Sequence, residues 1–142
     1  MQFRQIIILA FALLLFLGSW ACSQRPAPKA YKGRIIEISD STLVRGSSDT
    51  IRFGKLHSGE IAVMHFRLQN SSTRPIAVTG VDKTCGCTSL EYPQQPLTPT
   101  SYEDCSLTFD SRGIRGWQLK VVDLKLSATD RKLRLWVEAH VE

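Results

Sequence analysis

The sequence predicts an all-β domain made of two packed sheets of short strands. Three observations carry this. Apolar residues recur at every second position in two long stretches, clusters of Asn, Ser, Pro, Gly and Asp separate such stretches at short intervals, and no stretch shows the repeat of an amphipathic helix. About seven short strands in roughly a hundred residues, spaced by turns, suggest an immunoglobulin-like two-sheet sandwich, with a barrel as the alternative.

The two clearest strands follow from side-chain alternation. Ala62, Met64, Phe66 and Leu68 share one face while Val63, His65, Arg67 and Gln69 take the other. Near the end, Leu133, Leu135, Val137, Ala139 and Val141 alternate with Lys132, Arg134, Trp136, Glu138 and His140. Shorter candidates are residues 76–78, 105–109 and 119–126, bounded by turn chemistry such as Asn70-Ser71-Ser72. In the last of these the apolar set shifts from Leu119 and Val121 to Val122, Leu124 and Leu126, which predicts a bulge near Val121-Val122.

The first residues have a different logic. Arg4 precedes an unbroken apolar run over residues 6–17, and Gly18-Ser19-Trp20-Ala21-Cys22 follows. A charged start, a short apolar segment and a small residue before a cut make a signal peptide over residues 1–21. The run is too short to span a bilayer, which takes roughly 20 residues. Cys22, after small Ala21, resembles the cysteine of a lipobox. That resemblance implies diacylglycerol on its thiol, acylation of the new amino terminus and membrane anchoring by lipid. Residues 22–33 read as a tether, since Pro26 and Pro28 forbid regular helix. Residues 34–142 then make one domain with a core of its own. The expected location is the cell envelope, facing the periplasm, and Ser23 with no acidic neighbour favours the outer membrane over the inner.

The net charge of +5 comes from Lys and Arg spread along the chain, with no run that suggests nucleic acid. His57, His65 and His140 stand in no nucleophile or metal-helix motif, so they read as solvated and no catalytic residue is assigned. Trp136 projects from the polar face of the last strand. If that strand lies at an edge, Trp136 is a contact for a partner, or else it covers a neighbouring strand or loop.

Thr50-Ile51-Arg52-Phe53-Gly54, Ser58-Gly59-Glu60, His65-Phe66-Arg67-Leu68-Gln69-Asn70 and Thr84-Cys85-Gly86-Cys87-Thr88 fall in a recognisable order, followed by Leu107-Thr108-Phe109-Asp110-Ser111 and Gly116. Over residues 50–141 the chain resembles the family catalogued as domain of unknown function 1573. The resemblance implies an immunoglobulin-like module of exported or lipid-anchored proteins, and it does not imply an enzyme. The family's Pro-Gly-Glu is replaced here by Pro99-Thr100-Ser101-Tyr102.

With Cys22 taken by lipid, Cys85, Cys87 and Cys105 remain in a compartment where disulfides persist. In extended chain Cys85 and Cys87 would lie about 6.6 Å apart on one face, near the outer limit for a bridge. Gly86 allows a tighter turn. Cys105 shares its face with Leu107 and Phe109 and should point into the core. Four readings stay open. Cys105 bridges Cys85 or Cys87 across the sandwich, closing a loop of about 20 residues for about 3 kcal/mol. All three are free thiols. Cys85 and Cys87 hold copper(I) or zinc. Or the pair exchanges thiols with a partner. No other cofactor is implied. The expected function is a non-enzymatic binding or scaffold module for an envelope protein or glycan, and the rival is a metal or thiol-redox protein using Cys85 and Cys87.

Overall fold

The computed structural model describes residues 31–142. The predicted leader, Cys22 and all but the last residues of the tether lie outside them. The described residues form eight strands and one short helix: β1 (Arg34–Ile38), α1 (Asp40–Arg45), β2 (Ser47–Leu56), β3 (Ile61–Asn70), β4 (Val78–Lys83), β5 (Thr88–Glu91), β6 (Tyr102–Asp110), β7 (Gly116–Leu126) and β8 (Lys132–Val141). Two four-stranded sheets result, in the orders β1-β3-β6-β5 and β2-β8-β7-β4. The predicted sandwich is the architecture found, and its eight strands are one more than the turn spacing suggested.

Alternation places the core between the sheets. Phe66 and Leu68 of β3, Cys105, Leu107 and Phe109 of β6, Val122, Leu124 and Leu126 of β7, and every odd residue of β8 from Leu133 to Val141 are buried. Burial of a side chain the size of Phe66 or Phe109, both wholly inaccessible, contributes roughly 1.5–3 kcal/mol relative to exposure. Phe109 also meets Phe53 of β2, with ring centroids 5.8 Å apart, so an aromatic pair ties the two sheets together.

Three sequence expectations need correction. The helix α1 is one and a half turns long, too short to show a period. Its signal is chemical: Thr42 N–H donates to Ser39 Oγ at 3.3 Å and Ser39 N–H donates to Thr42 Oγ1 at 3.2 Å, a reciprocal cap. The bulge expected at Val121-Val122 is absent, because β7 pairs with β8 in unbroken register from Gly116 to Lys125. The register instead shifts between Val78 and Gly80 of β4 and between Arg52 and Gly54 of β2. Finally, β8 is an inner strand, flanked by β2 on one side and β7 on the other, so the edge position considered for Trp136 does not exist.

Candidate functional site

The chain crosses from one sheet to the other at Cys85-Gly86-Cys87, between β4 and β5, each at an edge of its own sheet. Both sides of this corner are fastened by the backbone. Thr84 N–H donates to Val121 C=O of β7 at 3.1 Å, and Asp110 N–H of β6 donates to Cys87 C=O at 2.8 Å. Lys83 Nζ donates to the Thr88 carbonyl at 2.6 Å, closing the corner from within. Cys85 and Cys87 are joined by a disulfide, their Cα atoms 5.3 Å apart, and Cys87 N–H points at Cys85 Sγ at 3.1 Å. Both are half-buried, and Gly86 between them is exposed.

Cys105 is free and buried, which excludes the bridge across the sandwich. The reason is register. Cys105 lies opposite Phe66 on β3, whereas Cys87 meets β6 at Asp110, five residues further on. Five residues of strand span roughly 16 Å, against a Cα separation of less than about 7 Å for a disulfide. Burial, with the carboxylate of Asp104 beside it, pushes the Cys105 thiol up to about 12. Among the described residues no group of three or more His, Cys, Asp and Glu is placed to hold a metal ion.

Where the chain leaves β4 at this corner, β7 loses its neighbour. β4 pairs with β7 only from Val122 to Leu126, and Thr84 extends the contact to Val121. Over residues 116–120 β7 has β8 on one side and, among the described residues, no strand on the other. Since Val121 directs its N–H and C=O toward Thr84, the two-residue period turns the N–H and C=O of Leu119 and Trp117 the same way, onto an open edge. Their side chains stand on the outer face, Trp117 72% and Leu119 61% exposed.

The remaining sequence candidates are spread over this sheet and the other. Trp136 is half-buried on the outer face of β8, opposite Val121, with the Arg134 guanidinium 5.5 Å from its ring centroid. His140 lies under Trp117, the rings stacked 4.8 Å apart, so it is not simply solvated. His57 and His65 are exposed. Asn70 of Asn70-Ser71-Ser72 is wholly buried in the turn it builds. Sequence reasoning missed Trp117. Its signal was the outward set Trp117, Leu119 and Val121, of which only Leu119 and Val121 enter the apolar pattern that predicts a bulge.

A family model described as Protein of unknown function (DUF1573) matches residues 44–141. The chain belongs to that family. The DUF1573 match takes in β2 to β8 and the corner at Cys85-Gly86-Cys87, leaving β1 outside. No curated protein matches the chain. Among solved structures, the Vibrio cholerae VesB protease is similar at a TM-score of 0.50 and 10% identity, over 66% of this chain and 30% of that one. The DUF1573 chain thus spans less than a third of that protein, and the likeness is one of fold. PbICP-C, solved in complex with falcipain-2, gives a TM-score of 0.35 at 11% identity, over 78% of this chain and 100% of that chain. No helix among the described residues is long and apolar enough to cross a membrane.

Proposed function

We propose that this protein is a non-enzymatic binding module of the cell envelope, held by lipid on Cys22 and facing the periplasm, that takes an extended segment of another envelope protein as an added strand. The observation that carries the reading is the open stretch of β7 over residues 116–120, bearing Trp117 and Leu119. Unpaired N–H and C=O groups in a row are satisfied by another extended chain, and side chains at alternate positions select it. A large exposed aromatic beside such an edge is the kind of residue that dominates binding energy at interfaces. Strands with open edges also invite self-association, which proteins usually blunt. Here the edge is short, about five residues, which suits a transient partner better than a fibril.

The test is crosslinking in intact cells followed by identification of the adduct. A discrete protein adduct that falls at least tenfold with Trp117→Ala, with the domain still folded, supports the reading. An adduct unchanged by Trp117→Ala contradicts it. Mass spectrometry of the mature amino terminus tests the anchor separately, and an unmodified Cys22 would remove it.

A second reading, thiol-disulfide exchange at Cys85 and Cys87, is favoured by one observation, their pairing with each other at a half-buried corner. On reduction, Cys87 N–H would remain aimed at Cys85 Sγ, and a hydrogen bond to a thiolate lowers its pKa. A mixed disulfide trapped at Cys85 after Cys87→Ser substitution, and absent from the wild-type chain, would support it.

A further inference from the structure

At the far end of β8 from the open edge, an open cleft of about 680 Å³ is lined by Arg45, Asp130, Arg131, Lys132, Arg134 and Trp136. Four cations and one carboxylate face it. The cations are not equivalent. Arg134 is engaged by Asp123, Nε to Oδ1 at 2.8 Å and Nη2 to Oδ2 at 2.9 Å, and Lys132 Nζ is shared between Asp123 and Asp82 at 3.4 and 3.5 Å. Arg45 and Arg131 are exposed, and among the described residues neither guanidinium has an acidic partner within ion-pair distance.

The backbone holds those two arginines side by side. Thr129 Oγ1 donates to the Leu43 carbonyl in the last turn of α1 at 2.6 Å and accepts from Arg131 N–H at 3.0 Å. Gly46, directly after Arg45, packs so closely on the start of β8 that a Cβ there would lie 3.1 Å from the Lys132 carbonyl oxygen and 3.8 Å from Arg131 Cβ. Its φ of +76° is itself one that favours glycine. The result is two arginines without acidic partners, carried on adjoining backbone in a cleft that Ser47, Ser48 and Trp136 also line.

We infer that this cleft binds a phosphate group. A carboxylate is satisfied by one arginine fork, whereas a phosphate monoester carries nearly two charges and three acceptor oxygens, matching two forks with a lysine nearby. The cleft is shallow and open to solvent, which leaves room for the group that bears the phosphate, with Trp136 as its apolar wall. The site is independent of the β7 edge. Trp136, opposite Val121, reaches toward that edge, but the two arginines do not: Lys132, beside Arg131, and Glu138, opposite Leu119, are six residues apart on β8, roughly 20 Å, so either site can fail without the other.

The test is titration of the full-length chain in detergent, at constant ionic strength, with inorganic phosphate, glucose 1-phosphate and glycerol 1-phosphate, read by the amide shifts of Gly46 and Arg131. Saturable shifts are expected, with at least tenfold weaker binding in the Arg45→Gln/Arg131→Gln double variant and no change in Arg115→Gln, an exposed cation elsewhere. Preference for glucose 1-phosphate assigns a sugar-borne phosphate, and preference for glycerol 1-phosphate a lipid headgroup. Equal binding of all three assigns the free anion. Shifts that do not saturate, or binding that survives the double substitution, would overturn the site. Because the wild-type titration is itself decisive on saturation, the result does not depend on the variants folding.

Discussion

Thr84 and Val121 are bonded to each other through backbone and side chain: Thr84 N–H donates to the Val121 carbonyl at 3.1 Å, Val121 N–H donates to Thr84 Oγ1 at 3.0 Å, and the hydroxyl in turn reaches the Val121 carbonyl at 3.5 Å. This pair is the last tie between β4 and β7 before the chain turns away at Cys85, so it sets where the open edge begins. Thr84→Val keeps the shape and removes the hydroxyl. It should cost about 1 kcal/mol, the usual net worth of such a bond, and should speed amide exchange at Val121 while leaving the core of β8 protected. Unchanged exchange at Val121 would mean that the hydroxyl does not hold the edge.

Asn70 ought to be a larger determinant of stability than any residue at the edge. It is wholly buried, its Nδ2 donates to the Arg74 and Leu97 carbonyls at 2.8 and 2.9 Å, and its Oδ1 accepts from Ser72 N–H and Oγ at 3.0 and 2.7 Å. Asn70→Asp removes the donors and sets a carboxylate against two carbonyls. A loss of about 3 kcal/mol or more is expected at neutral pH, easing as the carboxyl is protonated. Chemical denaturation at two pH values checks both parts.

Asp123 gives the acid limb of the stability profile. The Arg134 guanidinium, hydrogen-bonded through both carboxylate oxygens, holds its carboxyl below the ordinary value of 3.8. A depressed folded pKa means that the contribution is present above 3.8 and is lost as pH falls through the folded value. Asp123→Asn should therefore flatten the fall in melting temperature below about pH 4 while costing about 1.5–3 kcal/mol at pH 7. A variant as stable as the wild type at pH 7 would show that the pair contributes nothing.

The alkaline limb belongs to Cys105. Its thiol is raised from 9.0 to about 12 in the fold, first by burial and then by Asp104. A raised folded pKa contributes stability that is complete below 9.0 and is lost as pH rises toward 12. Cys105→Ala should remove that alkaline loss, at the cost of a small cavity at all pH values. Alkylation offers a second check: without reductant, Cys105 should react only after denaturation, and Cys85 and Cys87 only after reduction.

How much of this was legible in the sequence depended on whether a strand's outer face was polar. Leu133, Leu135, Val137, Ala139 and Val141 alternate with mostly polar residues, and all five are buried. The face of β3 read from Phe66 and Leu68 was equally clear. In β7 the apolar residues of the first half, Trp117, Leu119 and Val121, stand on the outer face and those of the second half, Val122, Leu124 and Leu126, on the inner one, so a regular strand looked like a bulged one. The short α1 was invisible to periodicity, although Ser39 and Thr42 carried its cap. That Cys105 is not the partner of Cys87 was beyond reach for a different reason. Whether Cys105 comes near is decided by the register of β5 on β6, a relation between segments that neither sequence segment contains alone, whereas the Cys85–Cys87 pairing rests on the local turn at Gly86.

The most direct measurement of strand capture is crosslinking yield in intact cells for Leu119→Pro. The N–H at this position points away from β8 onto the open edge, so proline removes a donor that the fold does not use while blocking an added strand. The domain should stay folded, with β8 amides as protected as before, and the protein adduct should fall by at least tenfold. An adduct of undiminished yield on a folded Leu119→Pro domain would contradict capture at this edge.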